Sequence, residues 1–215
     1  SYIVSCGRDG YLRRWPGDLP AQRIAQLSEH KIALARLAPT GKLFATYSKD
    51  RKLSLWEPNQ GKHFRDFPEQ SGRVSLLEFS TSGGKLATID EQHIVRLFQT
   101  GDAKLLKTFP ALPGKATCLA WSRDEKQLAC GMENGRLIVL DSTSDAEPQA
   151  LKGHQKTISQ VVWTSDRKKL ISAGLDGTIL IRDAKSLREI ARLEQLPPIT
   201  RLALVDRTQK LAVGA

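Results

Sequence analysis

The chain has 215 residues, 40% of them hydrophobic and 26% charged, with a mean hydropathy of −0.34, and no apolar run approaches the roughly 18 residues that a membrane span needs. This is the composition expected of a soluble globular chain. The net charge of +10 and pI of 9.7 make the surface attractive to nucleic acid, acidic proteins or phosphorylated peptides without choosing among them.

Cys6, Cys118 and Cys130 lack paired metal-ligand spacing and read as small apolar strand residues of a reducing compartment. The expected location is therefore cytoplasmic, or nuclear in a eukaryote.

The chain starts without a Met or a secretion signal, so its N-terminus is expected to be a cut. The apolar run "YIVSC" predicts a strand, and Asp9-Gly10 after it a tight turn, since both residue types tolerate the positive φ of hairpins. From here one pattern recurs: "GRDGYLRRWP", "SKDRKLSLWE", "DEQHIVRLFQ", "MENGRLIVLD" and "GLDGTILIRD" align. Their anchors Trp15, Trp56, Phe98, Leu140 and Arg182 stand 41, 42, 42 and 42 residues apart. An upstream series, Leu37, Phe79, Trp121, Trp163 and Leu204, repeats at 42, 42, 42 and 41.

Each unit reads as four short strands. In the fourth, 158–163 is a mostly apolar run suited to an inner strand buried on both faces; 170–174, 178–183 and 188–194 follow across short turns. Residues 185–196 also have partly helical apolar spacing, but their place in the repeat favours an outer strand. Four such strands cannot bury both faces alone, so units must stack, and radial stacking of four-stranded sheets is a β-propeller. The expected fold is all-β, with four-stranded antiparallel blades in a single repeat array: a partial blade over 1–27, full blades over 28–68, 69–110, 111–152 and 153–195, and a partial blade over 196–215. That gives 21 strands, which closes neither a five- nor a six-bladed ring.

These residues resemble the WD-repeat family, whose units carry Gly-His near the start and Trp-Asp at the end of the third strand. Gly153-His154 and Trp56-Glu57 are the nearest matches. The resemblance implies an arc of a longer ring, typically seven-bladed. It also implies a hydrogen-bonded set inside a blade: His30, Thr46, Asp50 and Trp56 in one unit; Ser5, Asp9 and Trp15 in the first; His154, Ser172 and Asp176 in the fourth, where Arg182 stands in place of Trp. The units ending in Phe98 and Leu140 keep apolar bulk and little else of that set. The family position makes His30 and His154 structural, while His63 and His93 read as surface or loop residues.

Basic residues precede the inner strands: Lys31, Arg73 and Lys115 at 42-residue intervals, with Lys156 one position out of register. Arg8, Lys49 and Arg51 lie in or beside the turns between second and third strands, on the same rim. Together they suggest a surface for acidic or phosphorylated segments of partner proteins. The turns at the opposite rim, including 141–147, have mixed charge and read as ordinary solvated loops. No phosphate-cradling loop, metal-ligand cluster or nucleophile motif is present, so neither catalysis nor a cofactor or metal is expected. The expected function is a protein-interaction scaffold. Its alternatives are a sensor or regulatory domain of a larger signalling protein, or an RNA-associated scaffold.

Overall fold

In the computed structural model the described residues are 2–6, 11–16, 22–26, 31–58, 61–205 and 210–214, those before 31 and 203–205, 210 and 211 by their backbone alone. Every regular element among them is a strand. The chain divides into two compact units, residues 1–110 and 111–215.

The first unit holds β1 (Tyr2–Cys6), β2 (Tyr11–Pro16) and β3 (Gln22–Gln26) in a three-stranded sheet. Two four-stranded sheets follow. One is β4 (Ile32–Leu37), β5 (Phe44–Ser48), β6 (Leu53–Glu57) and β7 (Lys62–Asp66); the next is β8 (Val74–Phe79), β9 (Lys85–Asp90), β10 (Val95–Gln99) and β11 (Leu105–Thr108). The second unit begins with β12 (Ala116–Trp121), β13 (Gln127–Met132), β14 (Leu137–Asp141) and β15 (Gln149–Leu151). Then come β16 (Ile158–Trp163), β17 (Lys169–Gly174), β18 (Ile179–Asp183) and β19 (Glu189–Leu193), and a two-stranded sheet of β20 (Arg201–Val205) and β21 (Lys210–Gly214). All pairings are antiparallel between chain neighbours, the pattern of a partial propeller.

Residues 185–196 form no helix. Asp183 Oδ1 accepts the N–H groups of Lys185 (3.1 Å) and Ser186 (2.8 Å), turning the chain back so that β19 pairs with β18.

The burial of each strand follows its residues. Second strands are covered throughout, as "FATYS" of β5 and "LISAG" within β17 show, whereas outer strands such as β19 are exposed at every position. In the first unit Phe67 and Phe98 meet edge-to-face at 5.2 Å within a cluster that includes Tyr47, Leu55 and Leu86. In the second, Ala129, Leu137, Ile158 and Leu170 form the corresponding core.

One irregularity recurs. The inner strand of every four-stranded sheet carries a bulge at the same place: between Ile32 and Leu34, Val74 and Leu76, Ala116 and Cys118, and Ile158 and Gln160. A bulge leaves one residue unpaired and frees a carbonyl on the facing strand. In three of the four sheets the unpaired residue supplies the donor: Ser75 Oγ to Ile89 O (3.1 Å), Thr117 Oγ1 to Gly131 O (3.0 Å) and Ser159 Oγ to Ala173 O (3.1 Å); in the first it is Ala33.

Inner strands of neighbouring sheets are also joined. Arg36 Nε donates to Leu77 O (3.2 Å) and Glu78 (3.2 Å), Trp163 Nε1 donates to Ala120 O (3.1 Å), and Leu202 N–H donates to Gln160 Oε1 (3.0 Å).

Fully buried Leu86 and half-exposed Leu105 lie in the same sheet, at 0% and 44% exposure. Leu86→Ala is expected to lower unfolding free energy by about 2–5 kcal/mol, and Leu105→Ala by less than about 1 kcal/mol. Denaturant titration of both variants checks the ranking.

Candidate functional site

The β16–β19 sheet holds a buried polar chain. His154 Nε2 pairs with Ser172 Oγ at 2.9 Å and Nδ1 with Asp176 Oδ1 at 3.2 Å. The Asp176 carboxylate also accepts the N–H groups of Gln155 (2.7 Å) and Thr178 (3.0 Å), so one side chain fastens the β17–β18 turn to the loop leading into β16. Ser, His and Asp are linked in the order found in hydrolases, but Ser172 is 1% exposed, and no substrate can reach it. Burial is the largest influence on His154 and holds its pKa below the usual value, against the opposing pull of Asp176. Burial raises the Asp176 pKa, and the hydrogen bonds from Gln155, His154 and Thr178 outweigh it, keeping that carboxyl ionised.

Arg182 is buried beside this chain. It donates through Nη2 to Lys152 O (2.6 Å) and through Nη1 to Leu187 O (3.4 Å), and lies 3.9 Å from Glu189. A Cβ at Gly153 would press on Leu180 Cδ1 and on the Arg182 guanidinium.

The β4–β7 sheet keeps part of a similar set. Trp56 Nε1 donates to Thr46 Oγ1 at 2.8 Å, and Asp50 lies 4.0 Å from Lys52 Nζ. Ser5 and Trp15 lie on β1 and β2, described by backbone alone; Arg8, Asp9 and His30 lie outside the described residues. The β8–β11 sheet replaces the set with an ion pair. Asp90, fully buried, accepts Arg96 Nη1 at 2.6 Å and the N–H groups of Gln92 and Ile94 at 3.0 Å each. Arg96 Nη2 reaches Ser71 Oγ at 2.5 Å, so turn and lead-in loop are again fastened together. In the β12–β15 sheet Asn134 of the β13–β14 turn donates through Nδ2 to Pro113 O in the lead-in loop (3.4 Å) and accepts the Arg136 N–H through Oδ1, while Gly135 (φ 79°) packs against the His154 and Lys156 carbonyls of the next sheet's lead-in.

All described basic residues singled out in the sequence are exposed. The carbonyl of each residue at the inner-strand lead-in accepts an N–H from the facing turn: Lys31 from Lys49 (3.0 Å), Arg73 from Glu91 (2.8 Å), Lys115 from Glu133 (2.9 Å) and Thr157 from Leu175 (2.9 Å). These ties put side chains of stated charge beside each lead-in. Lys31 meets a second cation, with Arg51 two residues on (φ 67°); Arg73 has an acid as its facing residue; Lys115 Nζ forms an ion pair with Glu133 at 3.4 Å. Lys156 is exposed without an acidic facing residue.

A family profile described as the anaphase-promoting complex subunit 4 WD40 domain matches residues 85–166. A solved chain titled "Crystal Structure of Mitotic Checkpoint Complex" superposes with a TM-score of 0.73 at 21% identity, covering 85% of this chain and 56% of that one. This is a WD40-type repeat fold.

Two curated relatives are similar over shorter stretches. The serine-threonine kinase receptor-associated protein of Gallus gallus is 29% identical over 91 residues, 42% of this chain and 26% of that one. The periodic tryptophan protein 2 homolog of Caenorhabditis elegans is 30% identical over 93 residues, 42% of this chain and 10% of that one. The chain thus spans only 26% and 10% of these relatives' lengths where they match.

Within this WD40-type fold, the end of each sheet away from the lead-in loops carries a second kind of surface. Beyond β14, residues 141–147 are built by Asp141, whose Oδ1 accepts the N–H (2.7 Å) and hydroxyl (2.7 Å) of Thr143 and the N–H of Ser144 (3.0 Å). These bonds hold its pKa down to about 2, and residues 143–147 are exposed to solvent. In the second unit a cleft of about 470 Å³ opens among the turns after β12, β16 and β18. At the lead-in end of the first unit, by contrast, a cleft of about 360 Å³ lies beside the β5–β6 turn, lined by Asp50, Asp66 and Glu69 against Arg51 and Lys52. Among the described residues no group of three or more His, Cys, Asp or Glu is arranged to hold a metal. His63 is a strand residue of β7, 2.9 Å from Asp66 and edge-on to Trp56, while His93 sits in the β9–β10 turn at φ 66°.

Removing Asp176 strands His154 and two backbone donors. Asp176→Ala is expected to cost about 1–3 kcal/mol, read by denaturant unfolding. Because the folded state holds His154 below its ordinary pKa, the unfolded chain binds the proton first as pH falls through about 6.5. The stability that neutral His154 contributes is therefore complete above that pH and lost below it. Tm is expected to fall from pH 7 to pH 5 in the parent chain and to change less in His154→Gln; equal slopes would contradict the assignment.

Proposed function

We propose that this chain is a non-catalytic protein-interaction scaffold that binds acidic or phosphorylated segments of partner proteins through its lead-in loops. What supports the reading is the first-unit rim, where a backbone bond from Lys49 N–H to Lys31 O joins two exposed lysine residues, with exposed Arg51 two positions on. Like charges held together by backbone repel one another, and an anion bridging them relieves that repulsion while forming charge-assisted hydrogen bonds. Lys156 adds an exposed cation in the second unit, whereas Arg73 is faced by Glu91 and Lys115 is partly neutralised by Glu133. A WD40-type fold suits the role, because backbone ties fix these loops on a rigid sheet.

The test is fluorescence anisotropy of a labelled hexaglutamate peptide, and of the same peptide carrying one phosphoserine, across a salt series. Lys31→Glu/Lys49→Glu is expected to weaken binding at least tenfold and flatten its salt dependence, while Lys115→Glu changes it less than about threefold. Unchanged affinity in the double variant would sink the proposal.

A further inference from the structure

The cleft of the second unit, at the end of the sheets away from the lead-in loops, gathers cations from several turns. Arg123 and Lys126 from the turn after β12, Arg167 from the turn after β16 and Lys185 from the turn after β18 bring four cations to it, against Asp124 and Asp141. Each carboxylate is engaged within its own turn, Asp124 by Ser122 Oγ (2.7 Å) and Lys126 N–H (3.2 Å), and Asp141 by Thr143 and Ser144. The excess is two positive charges in a space of about 470 Å³.

The aromatic contributor is Trp163. At the same repeat position Trp121 and Phe79 are 5% and 2% exposed, whereas Trp163 is only partly buried and lines the cleft. Its Nε1–H is already donated to Ala120 O, so what it offers an occupant is apolar ring surface.

Two excess cations beside an aromatic wall match a dianion carried on a chain with an apolar neighbour. A carboxylate supplies one negative charge and two oxygens. A phosphate monoester supplies close to two charges and three oxygens, enough to bridge groups arriving from different turns. Arginine's planar fork suits such oxygens better than lysine's point charge. A polynucleotide would need cations continuing beyond the cleft, and the same turns carry Asp124, Asp166 and Asp183 instead.

We propose that this cleft receives a phosphorylated serine or threonine of a partner protein, with Arg123, Arg167 and Lys185 on the phosphate and an apolar neighbour of the phosphoresidue against Trp163. This site lies at the end of β16 opposite Lys156 and does not depend on the lead-in loops, so one chain could engage a partner at two places, with the gain that linkage brings.

The experiment measures anisotropy at about 0.1 M salt with a labelled nonapeptide library, degenerate except for a central phosphoserine, against its unphosphorylated counterpart and hexauridylate. The parent chain is expected to bind the phosphorylated library at least tenfold more tightly than the unphosphorylated one. Arg123→Glu/Arg167→Glu is expected to abolish that preference, Trp163→Ala to weaken binding several-fold, and Lys31→Glu/Lys49→Glu to leave most of the preference in place. Thermal melts establish that each variant folds, and Arg167→Glu/Lys185→Glu replaces the first double variant if it does not. The proposal is overturned by equal binding of the two libraries, by a preference that survives both cleft variants, or by hexauridylate binding more tightly than the phosphorylated library and being lost with it.

Discussion

A four-stranded sheet whose second and third strands are apolar on both faces cannot stand alone in water. In β5 every residue is buried, and in β17 all but the first. Fully covering one such Leu or Ile is worth about 1.5–3 kcal/mol, so a bare face would forfeit more than the few kcal/mol by which a domain is stable. Neighbouring sheets supply the cover within each unit, and the inner strands are where they engage: Arg36 reaches Leu77 and Glu78, and Trp163 reaches Ala120. The near-constant repeat length follows, because each sheet must present the same two faces at the same height. Outer strands escape that demand, and β7, β11 and β19 are accordingly mostly exposed, even at apolar Phe64, Leu105 and Ile190.

That constraint explains which features could be read from the residues alone. Strand positions, their order and their antiparallel pairing follow from apolar runs and turn residues, and both are written at intervals near 42. The Ser172, His154 and Asp176 set was legible because those residue types at those positions resemble a known pattern. The bulge of each inner strand was not, although Ser75, Thr117 and Ser159 repeat every 42 residues. A hydroxyl on a strand is equally at home facing solvent, and only the pairing register reveals which carbonyl it must reach. The Asp90–Arg96 pair was missed for a related reason. It performs the task of fastening a turn with residues of a different type, so a search for His and Trp passes over it. Glu91 and Glu133, which face Arg73 and Lys115, stand at the same spacing as Lys49, but their bearing on the rim appears only when the backbone ties place turn against lead-in.

The fastening of turn to lead-in loop has several chemical solutions in one chain. Asp176 does it through a histidine and two backbone donors, Asp90 through a buried guanidinium and two backbone donors, and Asn134 through its amide on the Pro113 carbonyl. A carboxylate at this point satisfies otherwise stranded N–H groups, each of which would cost about 1–3 kcal/mol if left buried and unpaired. The identity of the cation or imidazole opposite it is secondary. Arg182 shows the same tolerance at the Trp position: it fills the volume of an aromatic ring with an aliphatic stem and spends its guanidinium on Lys152 O and Leu187 O.

Because the backbone ties carry the geometry, side chains at the ends of the sheets are released from holding it and can be chosen for what they meet. Lys49, Glu91, Glu133 and Leu175 each donate the same backbone bond while presenting a different chemistry outward. The local sign of charge therefore changes from sheet to sheet on an invariant frame, and the net charge of +10 is not spread evenly. Attraction to an anion falls off within about 10 Å at 0.1 M salt, so a partner feels each cluster separately rather than the molecule's total. Lys31 beside Lys49, and Arg123 near Arg167 and Lys185, are clusters in this sense, whereas Lys115 paired with Glu133 is not. A sequence-wide count of basic residues weighs all of these alike; the turn that faces each one decides whether it is available to a ligand.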